Sequence, residues 1–488
     1  MNLLQRLSAL IYIFIASNLA NSKPNVLLIV CDDLNTHVST SGYPYIKTPN
    51  LDQLAKAGVT FNRAYCQYPV CGPSRASFLS GLYPESTGVL DNKTDIREKH
   101  PRISSLPQFM KENGYWTGGV GKIFHTPSHE PGELGWHEYH RFENDEFPYV
   151  TNERKKFEKE NGSVERGKTR RKWKQRLQGL FTQTRGQQQP GYGPSGLKDK
   201  QHRDGRNARK VVDWLDKKSY GDKPFFITVG IHKPHVPFIA PQKYFDLYPQ
   251  QKLKFELSPQ NDWNDIPKLA MVKRFKGFGF EINKENDALR RKYTQAYHAC
   301  VSFIDAQIGL IIDKIKAQKI WNDTIVIFTS DHGYHLGEHF MWGKVTLFEE
   351  CARVPLIVRV PGVSPAGAIS NGLVETIGLF PTLAELCRLP SPVYLQGKSY
   401  AGLIRKPNSL ADASAYTVVS RGTQLGRSIR TKRWRYAEWG KTKAAELYDL
   451  EKDPREYINL AKSQKHKAIM KQMKNRLAKR QQKATENN

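Results

Sequence analysis

Asn25-Val26-Leu27-Leu28-Ile29-Val30-Cys31-Asp32-Asp33 opens as a run of aliphatic side chains and stops on two carboxylates. Val26 to Val30 are apolar at every position, so both faces of the segment require burial. That is the pattern of a central parallel strand, not the alternation of a half-solvated one. In open α/β sheets ligands bind beyond the carboxyl ends of the strands. Asp32 and Asp33 stand at such an end, where adjacent carboxylates suit a hard divalent cation. An Asp-Asp pair in that position also serves as a turn or helix cap.

The pattern recurs along the chain. Val59 to Ala64, Tyr115 to Val120, Phe225 to Gly230, Thr324 to Phe328 and Pro355 to Val360 read as further strands. Helices are expected from Pro49 to Ala57, from Leu106 to Gly114, from Asn207 to Leu215, from Leu289 to Ile315 and from Leu373 to Leu386, with apolar side chains at three- and four-residue steps in the long fourth one. The alternation predicts an α/β fold. Three strand ends run into polar clusters: Lys122 with His125, His232-Lys233-Pro234-His235, and Asp331-His332, whose loop goes on to His335, Glu338, His339 and Lys344. Pro241 to Asn283 shows no clear period and reads as loop. After Pro390-Ser391-Pro392 the texture changes to short Arg- and aromatic-rich segments, which predicts a small antiparallel sheet with a helix, and Lys465 to Lys483 reads as a basic helix or frayed tail.

Cys71-Gly72-Pro73-Ser74-Arg75 leads into Ala76-Ser77-Phe78-Leu79-Ser80-Gly81. Pro73 and the small residues after it predict a helix starting at or near Cys71, where unpaired backbone N–H groups favour anions. A nucleophile there would meet a negatively charged substrate group. The plain alternative is a buried cysteine at a helix start.

Residues 1–22 have the layout of a signal peptide, with Arg6 before an apolar run from Leu7 to Ala16 and small residues after it. An uncleaved anchor is the alternative. No later run approaches the ~20 apolar residues of a membrane span, so the expectation is an exported chain in a periplasmic, secreted or lysosome-like compartment. It divides into a catalytic domain at 23–390 and a C-terminal subdomain at 391–488. The six cysteines (Cys31, Cys66, Cys71, Cys300, Cys351, Cys387) match no zinc spacing and are too few for a disulfide scaffold. The formal charge of +28 suggests an anionic partner. No nucleic-acid module signature is present, which favours a sulfated or carboxylated polysaccharide over nucleic acid. Part of the excess sits in a basic insertion at 143–209, including Arg154-Lys155-Lys156 and Arg170-Arg171-Lys172-Trp173-Lys174, expected as a surface excursion outside the core.

The Cys71 to Gly81 stretch is similar to the motif that sulfatases carry at the cysteine a maturation enzyme oxidises to formylglycine. With Val120 to His125, Gly230 to Phe238, Ser330 to Gly333, Leu336 to His339 and Leu447 to Glu456, the chain resembles the formylglycine-dependent sulfatases over nearly its whole length, their iduronate-2-sulfatase branch most of all. The resemblance implies an alkaline-phosphatase-like fold, a central mixed sheet flanked by helices, with a smaller C-terminal antiparallel-sheet subdomain. It implies one Ca2+, or Mg2+ in its place, held by Asp32, Asp33, Asp331, His332 and oxygen from modified Cys71. It implies cationic stabilisation by Arg75, Lys122 and Lys344, with His232 as general acid and His125 as base. His335 and His339 are read as loop residues outside the metal site, because Gly333 and Gly337 interrupt any helix that would align them. The implied partners are a sulfated, uronate-bearing oligosaccharide and the formylglycine-generating enzyme. The alternatives are a phosphate or phosphonate ester hydrolase and an inactive sulfated-glycan binder, which would not need Cys71, Pro73, Arg75 and a full metal set.

Overall fold

The computed structural model describes residues 23–125, 132–142, 148–164, 167–180, 191–254, 258–272, 287–409, 413–442 and 444–486. The expected signal peptide lies outside them. Eight strands form the central sheet: β1 (Asn25–Asp32), β2 (Val59–Tyr65), β3 (Trp116–Gly121), β4 (Glu138–His140), β5 (Phe225–Pro234), β6 (Thr324–Ser330), β7 (Arg353–Arg359) and β8 (Ala368–Glu375). Their spatial order is β8-β2-β7-β6-β1-β5-β3-β4. β7 pairs antiparallel with both its neighbours and the remaining pairs are parallel, so the sheet is mixed.

β1 is buried on both faces, as its composition requires. Leu27, Ile29 and Cys31 pack with Trp214, Tyr297, Ile304 and Ile308, while Val26, Leu28 and Val30 pack with Phe109, Phe380 and Leu383. The first group comes from α6 (Arg203–Lys217) and α7 (Asp287–Ala317), the second from α3 (Leu106–Glu112) and α8 (Leu379–Leu386); α1 (Pro49–Lys56), α2 (Cys71–Ser80) and a pair, α4 (Pro148–Asn161) and α5 (Gly167–Leu180), complete the helices of this region. Each fully buried aliphatic side chain contributes about 1.5–3 kcal/mol, so five in succession anchor β1 in the middle of the sheet. Register places Val30 beside Gly230 and Thr329, and Gly121 beside Gly230. The chain therefore leaves β1, β3, β5 and β6 at one edge of the sheet.

Three expectations are corrected here. Leu373 to Leu386 is not one helix: Leu373, Val374 and Glu375 pair with Arg63, Ala64 and Tyr65 of β2, and the helix begins at Leu379. The basic insertion ends earlier than 209, because Asp204, Asn207 and Ala208 are buried in α6. Its described part holds a helical pair, with Phe157 and Trp173 rings 5.4 Å apart, and a short strand, Tyr192–Pro194, that pairs with Phe238–Ala240. Pro241 to Asn283 holds a short helix, Gln242–Phe245, and partly lies outside the described residues.

A second sheet is antiparallel: β9 (Ala415–Arg421), β10 (Gln424–Arg430), β11 (Trp434–Trp439) and β12 (Ala444–Asp449), in sequential order. The helix α9 (Lys467–Thr485) is no frayed tail, since Met473, Leu477 and Ala484 are buried in the cluster that includes Ile429, Tyr436 and Trp439. All six cysteines are free and buried. Among the described residues no helix is long and apolar enough to cross a membrane.

Candidate active site

β2 hands the chain through Val70, an extended residue, into α2, whose ten residues are all buried. Asn92 Oδ1 accepts from the Gly72 amide at 2.8 Å, which satisfies one of the unpaired N–H groups of the helix start. Cys71 is the first helical residue. Its Sγ lies 3.2 Å from Asp32 Oδ1, 3.3 Å from His332 Nε2 and 2.9 Å from Lys344 Nζ.

The strand ends converge on this thiol. Lys122 Nζ, just beyond β3, reaches Asp32 Oδ2 at 2.5 Å, and Lys344 Nζ reaches Asp33 Oδ1 at 2.6 Å. The approach of β3 to β5 depends on two glycines: a Cβ on Gly230 would stand 2.1 Å from the Lys122 carbonyl, and Gly121 has φ +81°. His332 Nδ1 bonds to the Gly333 carbonyl at 3.0 Å, which turns Nε2 towards Cys71 and towards Asp33 Oδ1 at 3.4 Å. Asp331 stands behind this pair. Its Oδ1 accepts from the Asp33 and His332 amides at 3.2 and 2.9 Å, and its Oδ2 from Arg75 Nε at 2.8 Å.

Arg75 is brought to the site but faces inward. It is fully buried, and its guanidinium donates to the carbonyls of Lys122, Ile123 and Cys31 as well as to Asp331. Expected as a cation around the substrate's oxygens, it holds three strand ends together instead. His125 follows Lys122 on the same loop, with a buried Nδ1 that has no hydrogen-bond partner among the described residues. His232 Nδ1 lies 3.9 Å from Asp32 Oδ2, and His235 Nε2 lies 3.9 Å from Asp33 Oδ2.

Two members of the site escape a sequence reading. His235 was visible only as the second histidine of His-x-x-His, and its Nδ1 bonds to the Val236 carbonyl at 2.7 Å, leaving Nε2 to face the carboxylates. Asp204 gave no signal at all in its basic surroundings; its carboxylate accepts from the His232 and Lys233 amides at 2.8 and 2.9 Å and so sets the path of the loop carrying both histidines. Lys233 turns away, its Nζ donating to the His235 carbonyl at 3.1 Å.

The electrostatics follow from burial and crowding. Burial alone would raise the Asp32 carboxyl, but Lys122, His235, Lys344 and Arg75 outweigh it and hold it well below the usual range. Burial dominates at Asp33 and raises it. At Cys71 burial and Asp32 push upward, yet Lys122 and Lys344 prevail and the thiol is lowered. Burial pushes His125 down to about 3, with Lys122 adding to the effect, and pushes His235 down to about 4 against the pull of Asp33 and Asp32.

Asp32, Asp33, Cys71 and His332 present ligand atoms within 4.8 Å of one another. Asp33 Oδ2 is buried there with no hydrogen-bond partner among the described residues, and His332 Nε2 lies 3.4 Å from the other oxygen of the same carboxylate. These residues fit a divalent cation.

The sulfatase family model matches residues 24–388. The chain belongs to the sulfatase family. This family of sulfuric ester hydrolases generally uses formylglycine and a divalent metal. A second family model, the C-terminal region of N-sulphoglucosamine sulphohydrolase, matches residues 337–483 of this sulfatase. A protein of Formosa agariphila described as a sulfatase is 32% identical over 93% of this chain and 86% of its own length. The iduronate 2-sulfatase of Mus musculus is 33% identical over 77% of this chain and 70% of its own. Solved structures agree on the fold. A 2-O GAG sulfatase aligns with TM-score 0.71 and 22% identity over 96% of this chain and 93% of its own, and the phosphonate monoester hydrolase of Agrobacterium radiobacter with 0.75 and 23% over 94% and 96%.

Proposed function

We propose that the protein is an extracytoplasmic sulfatase that removes an O-sulfate group from an anionic, uronate-bearing oligosaccharide, with Cys71 matured to formylglycine. The observation that carries this reading is the place of Cys71, first residue of a buried helix and in contact with Asp32, His332 and Lys344 at once. Identity to an iduronate 2-sulfatase supports the choice of sugar.

Formylglycine at position 71 would supply, as its hydrate, one hydroxyl as nucleophile towards sulfur and a second for the release of sulfate. Calcium would be held by Asp32, Asp33 and His332, with Asp331 Oδ1 3.6 Å from His332 Nε2 as the remaining carboxylate, and would supply Lewis acidity towards the ester oxygens. The chain's own cations do the rest of the charge stabilisation. Lys122 and Lys344, each bonded to an aspartate and lining the approach to Cys71, place positive charge where the sulfuryl oxygens carry negative charge through the displacement. Arg75 keeps Asp331 and the strand ends in register.

Two proton transfers need histidine. We assign the proton given to the leaving sugar oxygen to His235 in preference to His232. His235 Nε2 faces Asp33, with Asp32, Lys344 and Lys122 around it, whereas His232, at the same 3.9 Å from Asp32, also has Arg203 and Lys233 among its charged neighbours. His125 is the acceptor for sulfate release, its Nδ1 having no competing partner.

Mass spectrometry of the tryptic peptide 64–75 tests the reading. The expected result is an aldehyde in place of the Cys71 thiol in active protein, with Cys71→Ala folded but without turnover. A purely thiol peptide in fully active protein would overturn it. Turnover of phosphonate monoesters without turnover of sulfate esters would move the chain to the phosphonate hydrolase side of the fold.

A further inference from the structure

We propose that His339, Glu350 and Glu456 form a second, buried metal site that takes a zinc-class divalent transition metal and clamps the loop carrying Lys344. It shares no residue with the cluster at Cys71.

The three side chains offer ligand atoms within 4.8 Å of one another. His339 is fully buried, and its imidazole is fixed from every side: Phe348 stacks on it at 4.1 Å, Tyr457 meets it edge-on at 5.2 Å, and its amide donates to Ser258 Oγ at 2.9 Å. Nδ1 lies 3.0 Å from Asp262 Oδ2. Nε2, on the other side of the ring, is buried with no hydrogen-bond partner among the described residues, and the same holds for Glu350 Oε2. An imidazole that gives one nitrogen to a carboxylate and keeps the other bare, in a cluster that holds two more carboxylates, has the donors of the carboxylate–histidine–metal arrangement that fixes the tautomer of a ligand and raises its basicity.

The rest of the surroundings suit an ion. Glu456 is fully buried, and its oxygens accept from the Glu349 amide at 2.9 Å and from Arg435 Nε, so each keeps a lone pair while its orientation is set. Arg455 Nη1 stands 3.8 Å from the other oxygen of Glu350, Oε1. One imidazole with carboxylates selects a transition ion of the zinc class over calcium, which asks for six to eight oxygens. Access exists too, since Glu350 lines a cleft of about 1280 Å3 together with His37, Glu338 and Arg455.

His339 and Glu350 bracket Lys344 in the chain, and Glu456 comes from beyond the antiparallel sheet. An ion held by all three would tie both ends of the Lys344 loop to the C-terminal region. That fixes a cation of the site without touching it.

The test uses the full chain stripped of metal, dialysed against Zn2+ and analysed for zinc content, with X-ray absorption at the zinc edge. Expected is a zinc bound by imidazole and oxygen with no sulfur, and a melting temperature raised by Zn2+. Glu350→Gln, at the rim of the cleft, and Glu456→Gln should each lose that zinc. Asp262→Asn, which would act only through His339, should weaken it by roughly 10–100-fold. Far-ultraviolet circular dichroism identifies any variant that has unfolded, and Glu350→Gln alone then decides. Zinc content unchanged in Glu350→Gln, or no uptake by the parent chain, overturns the proposal.

Discussion

Arg75 shows how a side chain's role depends on which way it faces. Within the Cys-x-Pro-x-Arg motif it could serve substrate or scaffold, and its burial against Asp331 and three carbonyls makes it scaffold. Replacing one partner of a buried ion pair strands the other charge, at a cost of about 3–5 kcal/mol. Arg75→Met should lower the stability measured by urea unfolding by that amount, and an unmoved midpoint would show that Asp331 does not need the pairing. His235 and His232 separate by chemistry. A general acid is needed only for a poor leaving group, so His235→Ala should reduce kcat/KM on the sugar sulfate by roughly 10²–10⁴-fold and reduce it far less on 4-nitrophenyl sulfate. His232→Ala should affect both substrates alike. The opposite pattern assigns the proton to His232.

Among the elements, α7 acts on its neighbours through one carboxylate. Asp305 Oδ1 accepts from the Leu51 amide at 2.9 Å, and Oδ2 from the Asn50 amide at 3.1 Å and its side chain at 2.8 Å, so the long helix caps the start of α1. Burial raises this carboxyl from 3.8 to about 6 although those bonds pull it down. The folded state then binds more protons than the unfolded one between these values. The stability Asp305 contributes is full below about pH 4 and is lost as pH rises through about 6. The melting temperature of the parent relative to Asp305→Asn should therefore decline across that window and level off above it. A difference independent of pH would mean that the carboxyl titrates normally.

For the molecule as a whole, the governing feature is charge. The sequence carries 75 Lys and Arg against 47 Asp and Glu, and Lys155, Lys156, Lys168, Arg170, Arg171 and Lys172 of the helical pair are all exposed. Attraction of a polyanion to such a surface is screened, with a Debye length falling from ~10 Å at 0.1 M salt to ~3 Å at 1 M. Added salt should lower kcat/KM steeply on a sulfated oligosaccharide and only slightly on an aryl sulfate. Equal sensitivity would reduce the basic pair to solvated surface.

Composition and period alone determined that β1, β5 and β6 are buried strands, that α7 is a long packed helix, and that Asp32, Lys122 and Asp331 stand at strand ends. A segment buried on both faces has to be apolar throughout, and a one-faced helix has to repeat, so both leave a local trace. β8 left none, because its partner β2 lies far away in the chain and Leu373 to Leu386 also fits helical spacing. Only the tertiary structure decided that Arg75 faces inward, that His235 joins His232 at the carboxylates, that Asp204 holds their loop, and that His339, Glu350 and Glu456 meet. Those facts depend on strand register and on the direction of side chains from elements distant in sequence, and neither constrains the residues on either side of them.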